Sequence, residues 1–167
     1  ALRNSLFAIL ENRKDEISPR MNDLIVGLNA DWQELNERIG TITGEIEMIS
    51  KSEENCQRLM SVPGIGPIIS TAVVAAIGTG DAFGRGRDFG AWLGLVPRQY
   101  STGGKTVLGR ISKRGSKYLR TLFIQAAHVI LMRPNNWRKF SFGPWLTKAS
   151  TRLHRNKLAA ALPNKLA

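Results

Sequence analysis

The sequence has one cysteine, two histidines, no run of about 18 or more uncharged apolar residues, and no carboxylate after Asp88. A lone Cys56 forms no internal disulfide, which fits a reducing compartment and leaves it as a small buried or surface side chain. Without a long apolar run no membrane-spanning helix is expected. Nothing at the N-terminus joins a basic start to an apolar stretch and a small-residue cleavage site, so a cytoplasmic chain with no membrane partner is expected. His128 sits in an apolar stretch and His154 among basic residues, neither with companion ligands; core packing or phosphate contact fits them better than metal. A self-contained metal nuclease needs clustered carboxylates, and the basic part of the chain offers only Asp81 and Asp88.

What is abundant is positive charge, unevenly spread. The 167 residues suit one compact domain plus an extended element, and 43% hydrophobic residues support a packed core. The formal net charge is +11, yet residues 1–60 hold 7 Lys/Arg against 11 Asp/Glu, while residues 61–167 hold 17 against 2. So one-sided a segment repels itself unless a polyanion neutralises it, and nucleic acid is the first partner to consider. A basic ribosomal-type or membrane-surface protein is the plainer alternative.

Along the acidic third, Leu35, Ile39, Ile42, Ile46 and Ile49 alternate in steps of four and three, with Leu28 and Trp32 extending the row upstream. This heptad seam predicts a long helix or coiled coil, and self-association through it competes with ordinary core packing. Gly40 and Gly44 weaken the helix by about 1 kcal/mol each relative to Ala. An earlier helix near residues 3–12 is expected to stop around Ser18-Pro19. The composition changes at Ser61, which places a boundary between a helical or coiled-coil segment, 1–58, and a basic helical domain, 59–167.

That domain opens with LMSVPGIGPIISTAVVAAIG (59–78): a helix end, a Pro-Gly-x-Gly turn and a second apolar helix. Gly64 and Gly66 let the backbone turn sharply and leave amides pointing outward at a helix start, where the positive helix end favours phosphate. The pattern is that of a helix-hairpin-helix, a sequence-independent clamp on DNA backbone; a glycine turn joining two core helices is the competing reading. Residues 81–96 read as a loop and a short amphipathic helix, with Phe83, Phe89, Trp92 and Leu95 inward and Arg85 and Arg87 outward. Residues 97–115, PRQYSTGGKTVLGRISKRG, read as a loop or short hairpin around Gly103-Gly104. A helix follows from Ser116 to Met132, then a Trp- and Phe-bearing connection, then a last helix from about Thr151 that Pro163 bends or stops.

Arg98, Ser101, Lys105, Arg110, Lys113, Arg114, Lys117 and Arg120 lie within residues 97–120 with no acid among them, so a backbone phosphate could approach closely. The cluster could simply bind. In the sharper reading Ser101 attacks phosphorus and holds the strand as a phosphoserine, with the cations stabilising the developing charge. Gly104-Lys105-Thr106 imitates the end of a P-loop, but the motif's first glycine falls on Gln99 and no downstream acid remains to hold magnesium.

Five stretches carry a resemblance: VPGIGP (62–67), GTGDAFGRGRDFGAWLGLVPRQYSTGGK (78–105), LGRISKRG (108–115), YLR (118–120) and HRNKLAAAL (154–162). In this order they resemble the C-terminal transposase domain of the insertion-sequence "one-ten" family, particularly its "eleven-eleven" subgroup, a family related to Piv-type DNA invertases. The resemblance spans nearly the whole chain. It implies a RuvC-like domain with an Asp-Glu-Asp-Asp site for magnesium, a coiled coil, and a domain whose serine bonds covalently to DNA. It also implies oligomers guided by a bridge RNA, working at the bacterial nucleoid. The serine carries over to Ser101 by its distance to Ser112-Lys113, whereas counting from Tyr100 selects Thr102. The RuvC-like domain has no counterpart in this sequence, which carries no cofactor site of its own, and a truncated gene, a remnant or an excised domain is expected. The fold expected is mainly α: a long N-terminal helix or coiled coil, then a helical domain with a helix-hairpin-helix and a basic loop or short hairpin.

Overall fold

In the computed structural model, which describes residues 2–13, 16–137 and 139–166, Pro19 begins a helix where the sequence suggested one would stop. Helix α1 is Leu2–Asn12, and α2 runs from Pro19 to Ser52. Proline at a first helical position loses no intrahelical bond, and Ser18 caps the turn by accepting the Met21 amide at 3.3 Å. Gly27, Gly40 and Gly44 lie inside α2 with open space where a Cβ would stand, so no close approach of another element requires them. Leu28, Leu35, Ile39, Ile42 and Ile49 of the seam are exposed.

The chain divides into two compact units, Ala1–Glu45 and Ile46–Ala167, a division that falls upstream of the composition change at Ser61. Within the second unit come α3 (Glu54–Met60), α4 (Pro67–Ile77), α5 (Gly86–Trp92), β1 (Pro97–Thr102), β2 (Lys105–Ile111) and α6 (Lys117–Leu131). The short α7 (Pro134–Trp137), α8 (Gly143–Ser150), α9 (Arg155–Ala161) and α10 (Pro163–Leu166) complete it. The fold is mainly α, with one two-stranded antiparallel sheet among the described residues.

Helix α6 is the centre of this unit because its apolar positions recur at helical spacing: Leu119, Phe123, Ala126, Ala127 and Ile130 are all buried. Helices α4, α7, α9 and α10 pack on it. Ser116 starts α6 by accepting the Leu119 amide at 3.3 Å. Phe89 stacks edge-on to Phe123, ring centroids 5.8 Å apart, and so docks α5 on the same core. The Trp- and Phe-bearing connection is more ordered than the sequence suggested. It contains α8, with Pro144 at the helix start and Leu146 and Ala149 fully inward. The last helical stretch begins at Arg155, not near Thr151, and is interrupted ahead of Pro163.

Candidate nucleic-acid interface

The segment 97–111 is a hairpin, and its turn is dictated by two glycines. Gly103 and Gly104 have φ of 56° and 80°, the pair of positive values that a two-residue type I′ turn requires. Thr102 pairs with Lys105, Ser101 with Thr106, Tyr100 with Val107 and Gln99 with Leu108; a bulge between Pro97 and Gln99 brings Pro97 opposite Ile111. Gly104-Lys105-Thr106 is therefore the end of a hairpin turn and the start of a strand, which excludes a P-loop. Gly109 carries no side chain because the Tyr100 ring lies across it: a Cβ there would stand 3.1 Å from Cε2. Nearly every residue of both strands is exposed.

Strand parity sorts the polar groups. Side chains alternate between faces, and directly paired residues share one. Ser101 thus shares a face with Gln99, Thr106 and Leu108, while Arg98, Tyr100, Thr102, Lys105 and Val107 lie on the other. The Ser101 hydroxyl is exposed and accepts a hydrogen bond from the Gln99 amide, Nε2 to Oγ, at 2.8 Å. Gln99 is the one side chain seen to contact that hydroxyl among the described residues, and the sequence reading does not single it out. Its signal was the two-residue spacing, which means a shared face only once the strand is known.

The base of the hairpin is clamped from below. Ser112 N donates to Val96 O at 2.8 Å and Lys113 N to Gly94 O at 3.0 Å. Lys113 takes a left-handed φ of 58°, and Gly94 faces the Arg114 amide so closely that a Cβ would stand 2.7 Å from it. Arg98 Nη2 reaches back to Ser112 O at 3.4 Å. These contacts gather Arg98, Tyr100, Arg110, Ile111 and Lys113 around one cleft of 260 Å³. Three of the expected cations therefore converge, while Lys105 stands at the hairpin tip and Arg85, Arg87, Arg114 and Lys117 are exposed elsewhere on the unit.

Arg120 corrects the sequence expectation. Its place in the sequence groups it with the DNA-contacting cations, yet it is only 9% exposed and its Nη1 donates to Leu93 O at 3.1 Å and Gly115 O at 3.2 Å. Its place on the inner face of α6 aims it at the two chain segments that flank the hairpin. Its Nη1 is engaged by both of them.

At the other glycine turn, Gly64 has φ 83° and packs against α6, where a Cβ would meet Ile130 Cδ1 at 2.9 Å and Ala126 O at 3.2 Å. Gly66 is the N-cap of α4, with extended backbone and no side-chain cap. Among the described residues no hydrogen bond from the Gly64, Gly66 or Ile68 amide is present, and Gly64 and Ile68 are exposed. Among the described residues no three His, Cys, Asp or Glu side chains come together. His154 caps α9, its Nδ1 accepting the Asn156 amide at 3.3 Å. No helix among the described residues is long and apolar enough to cross a membrane.

Comparison with known proteins agrees with the resemblance read from the motifs. The model of the transposase IS116/IS110/IS902 family matches residues 56–141, just over half of the chain, and takes in the glycine turn, the hairpin and α6. The chain is 41% identical over 152 residues to a transposase for insertion sequence element IS1328 from Yersinia enterocolitica, covering 91% of this chain and 45% of that protein. It is 43% identical over 145 residues to a probable family 20 transposase from Pseudomonas aeruginosa, covering 87% and 43%. It is 37% identical over 157 residues to a transposase for IS1111A from Coxiella burnetii, covering 94% and 43%. The chain spans a little under half the length of these relatives. With the family's own segment laid over its glycine turn and its basic hairpin, this chain belongs to the IS116/IS110/IS902 transposases.

Proposed function

We propose that this chain is the DNA-gripping part of an enzyme of DNA transposition, a site-specific recombination, and that it supplies the nucleophile Ser101 to an active site completed by another domain. The observation that carries the DNA reading is the convergence of Arg98, Arg110 and Lys113 on one cleft of an exposed hairpin, in a chain with no carboxylate after Asp88 to compete for them. The glycine turn at 59–78 acts as a helix-hairpin-helix: amides at the start of α4 hold a second backbone phosphate. Arg85, Arg87, Lys105, Arg114 and Lys117 add exposed charge around these two grips.

In the reaction, Ser101 Oγ bonds to the scissile phosphorus while the bond from phosphorus to a deoxyribose oxygen breaks, and the hydroxyl proton passes to that leaving oxygen. The phosphoserine keeps the energy of the diester, so strands rejoin by the reverse attack. Gln99 holds Oγ by donating to it, which leaves the serine proton free to depart. A two-stranded ribbon is one layer thick, so a DNA strand along its edge meets Ser101 on one face and the cations of the other. Thr102 is the alternate nucleophile, on the cation face but with a more hindered hydroxyl. By the family's pattern the magnesium tetrad belongs to a RuvC-like domain, the partners include a bridge RNA and further copies joined through the N-terminal helices, and the working place is the nucleoid.

The separation of Ser101 from Arg98 and Lys105 by strand parity favours a second reading, a non-catalytic nucleic-acid-binding module of transposase descent. Trapping on a nicked or suicide DNA substrate, with the metal-binding domain supplied in trans, separates the two. A covalent protein–DNA adduct supports the nucleophile; tight binding without adduct under any condition leaves only the binding module.

A further inference from the structure

We propose that a second cavity, between the base of the hairpin and the C-terminal helices, binds an unpaired nucleobase of the DNA strand held at the hairpin. This rests on the DNA reading above and adds to it a site and a ligand class. The cavity measures 630 Å³, within the ~300–1,000 Å³ usual for a small organic ligand. Leu95, Ile111, Ala160 and Ala161 give it apolar walls, and the half-buried indole of Trp145 forms one side. Arg110, Lys157 and Lys165 stand around it with the side-chain amides of Asn156 and Asn164, and among the described residues no carboxylate side chain lines it.

Flat aromatic surface beside cations is the arrangement that takes single-stranded nucleic acid: the base stacks and the phosphate pairs. Lys165 Nζ now lies over the Trp145 ring, 5.9 Å from its centroid. An incoming base would take that ring face, and the displaced ammonium, on an exposed and flexible stem, would meet the phosphate of the same nucleotide. Each asparagine amide carries both donors and an acceptor, so the two can answer the edge of a base. A stacked, paired base cannot enter a concave site, which restricts the ligand to a bulged, flipped or single-stranded nucleotide. Arg110 and Ile111 line both this cavity and the cleft beside Tyr100, so one strand passing over β2 serves the two.

The test is binding of the chain to a DNA duplex with a one-nucleotide bulge, to the same duplex without it, and to a bulged RNA duplex of equal sequence. The bulged DNA is expected to bind about tenfold more tightly than the plain duplex, and 5-iodouracil placed at the bulge is expected to crosslink to Trp145. Ala161→Phe, which fills the cavity, abolishes that preference while plain-duplex affinity stays. Trp145→Phe, which preserves a stacking surface, keeps most of it. Equal affinity for the two DNAs, or a crosslink mapping elsewhere, overturns the pocket and leaves the DNA reading standing. Tighter binding of the bulged RNA overturns the choice of DNA as ligand. Failure to bind any duplex removes both the pocket and the reading beneath it.

Discussion

The guanidinium of Arg120 spans the two chain segments that carry the hairpin, its Nη1 donating to Leu93 O at 3.1 Å and, across the gap, to Gly115 O at 3.2 Å. Both carbonyls are served by the one nitrogen, Nη1, and because a guanidinium stays charged both bonds are charge-assisted. The hairpin's orientation on α6 depends on that brace.

Arg120→Met is therefore expected to cost stability and not merely charge. One buried carbonyl and one part-buried carbonyl lose a charged donor, a loss of about 2–3 kcal/mol, read as a lower urea midpoint with an unchanged denaturant slope. A variant as stable as the parent but weaker on DNA would return Arg120 to the contact surface.

Gly64→Ala is expected to lower stability by about 1–2 kcal/mol from the left-handed backbone alone, with a further loss from the approach to Ile130 and Ala126. Ile130→Val, which removes the nearest methyl, should recover part of the second loss and none of the first. Thermal denaturation of the single and double variants separates the two contributions.

The hairpin was legible in the sequence because Gly103-Gly104 leaves few alternatives: two adjacent positive φ angles between polar strands specify a two-residue turn. The glycine turn at Pro63–Gly66 and the apolar face of α6 were legible for similar reasons, a backbone need in one case and a 3.6-residue period in the other. Arg120 was not, because charge counted along a chain carries no information about burial, and only its place among Leu119, Phe123 and Ala127 puts it inside. Helix α8 was hidden by its brevity and by Pro144, which marks a helix start as readily as a break. The parity that parts Ser101 from Arg98 follows from their odd spacing along one strand, and the two-residue turn sets Thr102 opposite Lys105; neither can be read until residues 97–111 are known to be strands and not a loop.

The α2 seam predicts association. Leu35 and Ile39 are 55% and 61% exposed on the acidic unit, more apolar surface than an isolated helix keeps in water without a partner. Sedimentation velocity is expected to find an oligomer for the parent chain and a monomer for Ile39→Asp at the same concentration, with equal helix content by circular dichroism. A monomeric parent would assign the seam to packing against something other than a second copy.

DNA affinity is expected to fall with salt, and the slope of log K against log salt should flatten by about one for each phosphate contact removed. Arg98→Ala, Arg110→Ala and Lys113→Ala are predicted to flatten it, because these three side chains line the cleft. Slopes unchanged in all three would place the phosphate contacts elsewhere.

The nucleophile is tested most directly by trapping the full-length enzyme on a suicide DNA substrate and identifying the modified residue by peptide mass mapping, alongside Ser101→Ala and Thr102→Val. The account predicts phosphoserine at residue 101, no adduct from Ser101→Ala with DNA affinity nearly intact, and persistent adduct from Thr102→Val. An adduct that survives Ser101→Ala and vanishes in Thr102→Val would contradict it and move the chemistry to the opposite face of the strand.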